Sequence, residues 1–328
     1  MTSLVTGANG FVGAALCRAL CAQQQDVRAF VRKGSDTTNL VDLPVQYAYG
    51  DLRDQASLAS AMQGCRFLYH VAADYRLWVP DPANMYAINV EGSRNAVMAA
   101  VAAGVERIVY TSSVAVIKPD EDGGVSDETT ATLESDMIGH YKRSKFLADE
   151  AVQRLVTEIS APVVTVNPST PIGPGDIRPT PTGRIILDAL CGRMPAYVAT
   201  GLNLVHVDDV AAGHIAACDS GTIGRNYILG GEDVSLKHFL ELIAERGGHR
   251  PPIAAVPHSV ALLYAKVSEL YSKVSKKEPA ATVDAVRMSK KCMYFSSERA
   301  RSELNYQHRP VEQSVAAAVD WFQKQLQQ

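Results

Sequence analysis

The first thirteen residues constrain the fold most, because they join a short β-prone run to three glycines and then to a helical pattern. Gly7, Gly10 and Gly13 follow the predicted strand at three-residue intervals. Gly7 would permit a tight turn, Gly10 a close approach of backbone N–H groups to a phosphate, and Gly13 close packing of helix on sheet. We therefore predict a dinucleotide-binding turn. A purely structural turn is the alternative, since G-x-x-G-x-x-G is one residue wider at its first step than the dinucleotide fingerprint.

Composition narrows the class of protein. The chain has 328 residues, 47% of them hydrophobic and 20% charged, with a net charge of -3. This is typical of a globular protein of one large or two modest domains and, without a basic stripe, disfavours nucleic-acid binding. We find no run of about 18 apolar residues and no room for a signal peptide before the first strand, so we expect a cytoplasmic protein without a membrane span.

The cysteines show no metal-binding or redox spacing. None of the six forms a C-x-x-C pair, so we expect reduced packing residues and no metal site. They are Cys17, Cys21, Cys65, Cys191, Cys218 and Cys292.

Strand and helix patterns alternate along the first half of the chain. The predicted strands after the first are 27–32, 45–49, 67–73, 108–113 and 162–166, and the predicted helices are 11–21, 84–103 and 139–159. This order predicts an α/β fold with a doubly wound parallel Rossmann sheet that binds ligands at the carboxyl ends of its strands. We assign 1–170 to the cofactor domain and 171–328 mainly to a smaller α/β substrate-binding region, with some elements returning to the sheet.

The end of the second predicted strand indicates which dinucleotide binds. An NAD site usually has an acid there for the ribose hydroxyl, but this chain has Arg32, followed by Lys33 and Ser35. A cation can pair with a 2′-phosphate, so we predict NADP(H) as the cofactor, with NAD(H) as the alternative. An arginine that is merely solvated at the strand end, without a cofactor contact, is the alternative for Arg32 itself. Further cofactor contacts are predicted where later strands end, at Asp51, Leu52, Ala72 and Ala73.

A tyrosine and a lysine open the helix at 139–159. Tyr141 and Lys145 are four residues apart and so share one helical face. A tyrosine titrates near 10 in water, so a phenolate at about pH 7 requires a nearby positive charge, which Lys145 and an oxidised nicotinamide would supply. Tyr141 would exchange a proton with a substrate hydroxyl while Ser113, at the end of the fifth strand, holds the same oxygen. A hydrogen-bonded serine without a catalytic role is the alternative for Ser113.

The glycine turn, the Thr111-Ser112-Ser113 strand end and the Tyr-x-x-x-Lys pair, in this order, resemble the extended short-chain dehydrogenase/reductase superfamily. The resemblance covers essentially the whole chain. It implies Ser113, Tyr141 and Lys145 as catalytic residues, a mainly structural role for Asn89, and a possible homodimer through the Tyr141 helix. It also implies further cofactor contacts from Asn9, Phe11, Val12, Ser112, Tyr141, Lys145, Pro168 and Ser169.

Within that superfamily, several stretches are similar to the bacterial hopanoid-associated sugar epimerases, which themselves resemble dihydroflavonol reductases. They are Ala72–Trp78, Asn167–Pro174, Pro179–Arg184 and Leu202–Val210. The resemblance implies a sugar-like or polyol substrate in hopanoid side-chain biosynthesis.

Two positions argue in opposite directions about epimerisation. Asn167 matches an asparagine with which sugar-nucleotide epimerases hold their substrate, whereas Leu202 replaces the arginine that grips the diphosphate. Arg184 could compensate, or could be a surface residue. The substrate candidates are Tyr75, Trp78, His140, Asn167, Thr170, Thr180, Arg184 and His206.

An apolar stripe at helical spacing lies near the C-terminus. It comprises Val256, Val260, Leu263, Val267, Leu270 and Val274, with Lys266, Lys273, Lys276 and Lys277 beside it. It could lie in a membrane interface, but we expect it to pack over the substrate pocket, as amphipathic helices normally serve a core.

The sequence thus predicts an NADP(H)-dependent oxidoreductase or epimerase of the extended short-chain type. A dihydroflavonol-reductase-like carbonyl reductase without epimerisation is the alternative. A non-catalytic redox-sensing protein is a third possibility, which the retained Tyr141 and Lys145 disfavour.

Overall fold

A seven-stranded, fully parallel sheet forms the centre of the molecule, in a computed structural model that describes residues 2–79, 81–252, 254–275 and 279–327. The strand order is β3-β2-β1-β4-β5-β6-β10, and every neighbouring pair runs parallel. The strands are β1 Thr2–Thr6, β2 Asp26–Val31, β3 Val45–Tyr49, β4 Cys65–His70, β5 Arg107–Thr111, β6 Val163–Pro168 and β10 Asn226–Leu229. The predicted fold class is confirmed.

Two apolar layers cover the faces of this sheet. One is made with α1 Phe11–Ala22, α7 Val207–Ser220 and α11 Glu298–Leu304. The other is made with α2 Gln55–Met62, α4 Gly92–Ala102 and α5 Gly139–Ile159. Strands buried on both sides explain the near-continuous apolar runs in the sequence.

A second, smaller assembly follows β6. The strands β7 Thr170–Ile172, β9 Gly201–His206 and β11 Glu232–Ser235 form a sheet in the order β11-β9-β7. It shares an apolar core with α6 Pro181–Leu190, α8 Leu236–Gly247 and α12 Val311–Leu326. The two-residue strands β8 Ala196–Tyr197 and β12 Ala254–Ala255 pair with each other. β10 leaves this part of the chain and joins the edge of the large sheet beside β6.

Two further helical segments complete the fold. A helix before α4 contains α3 Ala83–Tyr86 and a π-helical turn at Ala87–Glu91, so the predicted helix over 84–103 is interrupted by a wide turn. Near the C-terminus, α9 His258–Ser275 packs on α10 Val283–Met288. Single 3₁₀ turns lie at Thr38–Leu40, Val114–Val116 and Glu134–Asp136.

The structure corrects the expectation for α9. The side chains of Val260, Leu263, Val267 and Leu270 are exposed to solvent and do not pack over a pocket of this chain. Val256 precedes the helix, while the side chain of Val274 and the residues Lys276 and Lys277 lie outside the described residues. None of the described helices is long and apolar enough to cross a bilayer.

The strand order reverses between β1 and β4, and this positions the candidate site. The chain proceeds from β1 outward to β2 and β3, then returns to β4 on the other side of β1. In open parallel sheets ligands bind in the crevice at the carboxyl ends of the two strands where the order reverses. All six cysteines are free thiols, and none of them is among the residues predicted to line this crevice.

Candidate functional site

The turn after β1 is built from contacts that only glycine allows. Gly7 has φ +65°, and a Cβ there would lie 2.7 Å from the Cα of Ala72, which follows β4. A Cβ on Gly13 would lie 2.2 Å from the carbonyl oxygen of Gly7. The ends of β1 and β4 and the start of α1 therefore approach more closely than any larger residue would permit.

The first turn of α1 is open to an anion. Gly10 caps the helix without a side-chain hydrogen bond, no acidic residue lies in the first turn, and Gly10 itself is exposed. The first N–H groups of a helix have no acceptor within the helix, and its dipole favours negative charge at this end. This geometry fits the pyrophosphate of a dinucleotide, as predicted for the segment from Gly7 to Gly13.

A free cation follows β2. The side chain of Arg32 is exposed and makes no hydrogen bond or ion pair within the described ranges. Its charge helps to lower the pKa values of Asp51 and Asp74, so it lies near the ends of β3 and β4. Asn9 bridges to the same segment through a 2.8 Å hydrogen bond from Nδ2 to the carbonyl oxygen of Asp36.

The other cofactor candidates near the ends of β2 and β3 have different environments. A bidentate ion pair with Arg53 is the main reason that the pKa of Asp51 falls to about 2, so this carboxylate is already held in place. Leu52 is buried against the start of α4. Lys33 is exposed, and the backbone N–H of Ser35 closes a turn onto Arg32.

The first turns of α5 bring Tyr141 and Lys145 to the end of β5. The Nζ atom of Lys145 donates a 2.9 Å hydrogen bond to the carbonyl oxygen of Thr111 and lies 3.4 Å from the hydroxyl of Tyr110. It also lies 5.0 Å from the centre of the Tyr110 ring. Lys145 is only 2% exposed, so these contacts fix its ammonium group.

The pKa values of Tyr141 and Lys145 differ from the prediction that the charge of Lys145 helps to lower the pKa of the Tyr141 phenol. Burial raises the pKa of Tyr141, and its interaction with Ser113 partly offsets that rise. Burial also lowers the pKa of Lys145 to about 8. In this structure Lys145 bonds to Thr111 and Tyr110 and does not contribute to the Tyr141 shift, so the protein alone does not lower the pKa of the phenol.

Two titratable residues beside Lys145 were not among the sequence candidates. Asp149 lies one turn further along α5, and its charge raises the pKa of Lys145. Burial raises the pKa of Asp149, and Ser112 partly offsets that rise, although the geometry completes no hydrogen bond to Oδ1. The spacing of Tyr141, Lys145 and Asp149, each four residues from the next, was the available signal.

His70 is the second titratable residue near Lys145 that was not among the sequence candidates. It is fully buried at the end of β4, where Nδ1 lies 2.7 Å from Thr6 Oγ1 and Nε2 lies 3.0 Å from Ser93 Oγ. Burial and the charge of Lys145 lower its pKa to about 3, so His70 stays neutral. A histidine inside an apolar strand gives no sequence signal that separates this role from packing.

Polar groups without a partner line the end of β6. Asn167 donates from Nδ2 to the carbonyl oxygen of Ser113 over 3.1 Å, but its buried Oδ1 has no partner among the described residues. The buried hydroxyl of Ser169 is likewise unpaired in the described part of the chain. A buried polar atom without a partner is costly, so both atoms are consistent with a bound ligand at this edge.

The candidate substrate residues divide into two groups. Tyr75 raises the pKa of Tyr141 through its charge and therefore lies near it, and His140 is exposed beside it, with Nδ1 3.2 Å from the Tyr86 hydroxyl. Trp78 and Thr170 are partly buried in the segments after β4 and β6. These residues surround the Tyr141 side of the crevice or belong to the segments that lead to it.

The other candidates have structural contacts. Thr180 accepts from the N–H of Gly183 and caps α6, while its own hydroxyl donates to Asp176. His206 accepts from the N–H of Asp208 over 3.1 Å and caps α7. Arg184 is exposed on α6. Asn89, with both amide atoms bonded to the backbone of Asp74, secures the segment after β4.

The described residues contain no group of three or more His, Cys, Asp or Glu side chains arranged to hold a metal ion. The reactive side chains described at the site are the phenol of Tyr141, the ammonium of Lys145 and the nearby hydroxyls, and the fold predicts a dinucleotide beside them. The open start of α1, the free Arg32 and the unpaired atoms of Asn167 and Ser169 fit such a group.

Comparisons with known proteins agree with this geometry. Residues 3–230 match the model of the NAD dependent epimerase/dehydratase family. The chain is 45% identical, over 97% of its length and 94% of the other, to a Synechocystis protein named provisionally as a dihydroflavonol 4-reductase. It is 34% identical to sterol demethylase protein B of Methylococcus capsulatus, over 99% of both chains.

A solved structure extends this likeness to three dimensions. The crystal structure of gox2253 is 49% identical in sequence and superposes with a TM-score of 0.89, covering 99% of this chain and 98% of that one. The chain therefore belongs to the NAD-dependent epimerase/dehydratase family, among the oxidoreductases of the extended short-chain type that use a nicotinamide cofactor.

Proposed function

We propose that this protein is an NADP(H)-dependent oxidoreductase that interconverts a secondary hydroxyl and its ketone. The observation that carries the proposal is the position of Tyr141 beside the Ser113 hydroxyl, with Lys145 buried at the same strand end. This arrangement supports a proton donor and a hydrogen-bond donor that one substrate oxygen could contact together.

The residues of the chain have separate tasks in the reductive direction. A bound nicotinamide supplies the hydride to the carbonyl carbon. Tyr141 transfers its phenolic proton to the carbonyl oxygen, while Ser113 donates a hydrogen bond to that oxygen. In this structure Lys145 does not lower the pKa of Tyr141. With substrate and dinucleotide bound, its ammonium form would stabilise the phenolate left on Tyr141, and oxidation of the alcohol reverses each transfer.

NADP(H) is favoured over NAD(H) by the free guanidinium after β2. An arginine without a partner at this strand end can pair with a 2′-phosphate, whereas no carboxylate stands there to accept from a ribose hydroxyl. We expect Arg32→Asp to weaken NADPH binding at least tenfold and to strengthen NADH binding. Unchanged NADPH affinity in a fluorescence titration would refute this assignment of Arg32.

The substrate we propose carries no nucleotide diphosphate. Leu202, at the position of the diphosphate-gripping arginine, is 8% exposed and belongs to the core beneath β9. Relatives are named for dihydroflavonol reduction and sterol demethylation. Together with the resemblance to hopanoid-associated enzymes, these names support a sugar-like or polyol group carried by a polycyclic lipid.

Epimerisation is the second candidate, favoured by Asn167. Its buried Oδ1 has no partner in the described ranges and could hold a sugar hydroxyl. In that case the enzyme would keep its dinucleotide through both half-reactions. Dimerisation through α5 and a cytoplasmic location stay predictions.

The decisive experiment is an assay of which dinucleotide is retained and which is consumed. The purified protein is analysed for bound NAD(H) or NADP(H), and then mixed with NADPH and, separately, a polycyclic-lipid ketone, a dihydroflavonol or UDP-glucose. Stoichiometric NADPH loss with a lipid ketone or a dihydroflavonol supports the reductase. Retained NAD(H) with conversion of UDP-glucose, and no NADPH loss, would contradict it.

A further inference from the structure

One face of α9 is apolar and open to solvent. Six side chains at positions i, i+3, i+4, i+7, i+10 and i+11 form a continuous stripe with exposed fractions of 54% to 69%. They are Val260, Leu263, Tyr264, Val267, Leu270 and Tyr271, and we call them the α9 stripe. An apolar face of this length would be costly in water unless another apolar surface covers it.

The opposite face of α9 is small and polar, and it is fixed to the protein. Ala265 is completely buried and Ser272 is 5% exposed, where α9 packs on α10. The carboxylate of Glu269 accepts a 2.7 Å hydrogen bond from the N–H of Val283, just where α10 begins. His258 is tied at the other end, with Nε2 2.9 Å from the carbonyl oxygen of Ser289.

This amphipathic pattern is the reverse of that of an ordinary surface helix, which turns its leucines inward and its glutamate outward. Rotating α9 to bury the stripe would break the Glu269 and His258 contacts. The exposure is therefore a consequence of specific hydrogen bonds, and the stripe is held outward.

We propose that the α9 stripe docks on an anionic lipid bilayer. Tyr264 and Tyr271 have the amphipathic rings that favour the boundary between headgroups and acyl chains. Lys266 and Lys273, seven residues apart, lie along one edge of the stripe, are exposed, and form no ion pair with a described residue. Lysines beside an apolar face attract anionic headgroups while the apolar side chains insert.

The charges argue against a second copy of the chain as the occupant. In a two-fold contact the stripe would meet itself, so the lysines of both copies would line the same interface. The single acid within α9, Glu269, is turned toward α10 and bonded there. The contact would thus gather four lysines without an acid from either α9 to neutralise them, whereas a bilayer with anionic lipids supplies the opposite charge.

The stripe is also connected to the mouth of the active site. α10 touches the start of α5, because a Cβ on Gly139 would lie 3.1 Å from the carboxylate of Asp284. Gly139 is two residues before Tyr141. Docking through α9 would therefore bring the Tyr141 side of the crevice close to the bilayer. The docking proposal itself does not depend on the reaction proposed above.

The test is co-sedimentation of the full-length protein with vesicles of phosphatidylcholine alone or with about a third phosphatidylglycerol. We expect binding to the anionic vesicles that falls with added salt. Leu263→Glu/Val267→Glu should weaken it at least tenfold, because both substitutions place charge in the inserted face. Lys266→Glu/Lys273→Glu should abolish the preference for anionic vesicles.

Val41→Glu/Ile223→Glu is the matched control, since both residues are exposed apolar side chains elsewhere on the surface; it should bind vesicles as the wild type does. Circular dichroism establishes that each variant is folded. The proposal is overturned if the wild type binds vesicles no better than Leu263→Glu/Val267→Glu. It is also overturned if sedimentation equilibrium shows a dimer that this double substitution dissociates, without vesicle binding.

Discussion

The helices α5 and α9 both violate the usual pattern of an amphipathic helix, but in opposite ways. α5 buries two lysines, Lys142 at 8% and Lys145 at 2% exposed, whereas α9 leaves six apolar side chains in water. Burying a cation and exposing an apolar stripe each cost free energy. A folded chain that retains both is therefore informative at both places: the buried Lys145 lies at the proposed reaction site, and the outward apolar surface of α9 is where we propose a contact outside the chain.

The surroundings of the two helices support this distinction. Lys145 on α5 finds a carbonyl oxygen and a tyrosine hydroxyl inside the protein, and Asp149 lies one turn away. The stripe on α9 has no comparable partner in the described ranges. The buried ammonium of Lys145 is thus matched within the chain, while the apolar stripe of α9 requires a partner from outside it.

The largest expected effect tests the chemistry of α5. Replacing the phenol in Tyr141→Phe should lower kcat by about a hundredfold to ten-thousandfold, because no other group supplies the proton. The dissociation constant for NADPH should change by less than about threefold. Steady-state kinetics with a reducible ketone and a fluorescence titration measure the two quantities.

Tyr86→Phe is the control for this substitution, since it removes the hydroxyl of a partly buried tyrosine that contacts His140 near the same crevice. It should retain most activity. Full activity in Tyr141→Phe would show that Tyr141 is not the proton donor, so the buried Lys145 would have no phenolate to stabilise and the contrast with α9 would fail.

Asp149→Asn should alter how activity depends on pH. The carboxylate raises the pKa of Lys145, which burial has lowered to about 8, so its removal lowers the pKa further. The ammonium form is lost as pH rises, and the alkaline limb of kcat/KM should therefore move to lower pH. We expect about a threefold to tenfold loss at pH 8 and a smaller loss at pH 6.5.

His70 will not obscure that profile, because its pKa of about 3 keeps it neutral throughout. Glu150→Gln, at the neighbouring exposed position, is the matched control and should leave the limb unchanged. An alkaline limb identical in Asp149→Asn and the wild type would rule out Asp149 as a positioning residue for Lys145.

The burial of Lys142, the other buried lysine of α5, should lower the free energy of unfolding. Burial and the charge of Lys291 lower the pKa of Lys142 from 10.5 to about 8. Lys142 is protonated in both states below pH 8, so the full penalty applies there, and as pH rises toward 10.5 only the unfolded chain keeps the proton. Lys142→Met should therefore raise the free energy of unfolding by about 1 to 2 kcal/mol at pH 7, an advantage that shrinks above pH 8.

Urea denaturation at pH 7 and at pH 10 measures this change, and Lys142→Met should keep most of its activity. Arg143→Met, at the next and exposed position, is the control. If Lys142→Met is less stable than the wild type at pH 7, the burial of this cation is not a cost and the description of α5 fails.

Sequence patterns predicted most of the sheet and the turn at its centre. The bounds of β3 agree with the predicted strand at 45–49, since short alternating or apolar runs between turn residues leave little freedom. β4 ends at His70, before the predicted end at Ala73. Here the N–H groups of Val71 and Ala72 donate to the hydroxyl of Thr6, and β4 does not continue through them.

The parts that could not be predicted depend on tertiary contacts. The position of Lys145 depends on a carbonyl oxygen 34 residues away in the chain, which no local pattern encodes. Thr180 and His206 each accept from a backbone N–H at a helix start, and a sequence cannot separate such a cap from a ligand contact. The stripe of α9 was visible in the sequence, but periodicity shows that a helix has an apolar face without showing what covers that face.

The smallest expected effect tests α9 itself. Leu263→Gln and Leu270→Gln should each change the free energy of unfolding by less than about 0.5 kcal/mol, because these side chains are already in water. Ala265→Leu, on the buried face of the same helix, should instead cost about 1 to 3 kcal/mol by overpacking against α10. Urea denaturation without lipid measures all three. A large loss in Leu263→Gln would mean that the stripe is covered within the protein in solution, and α9 would then be an ordinary packed helix, unlike the outward-facing one inferred here.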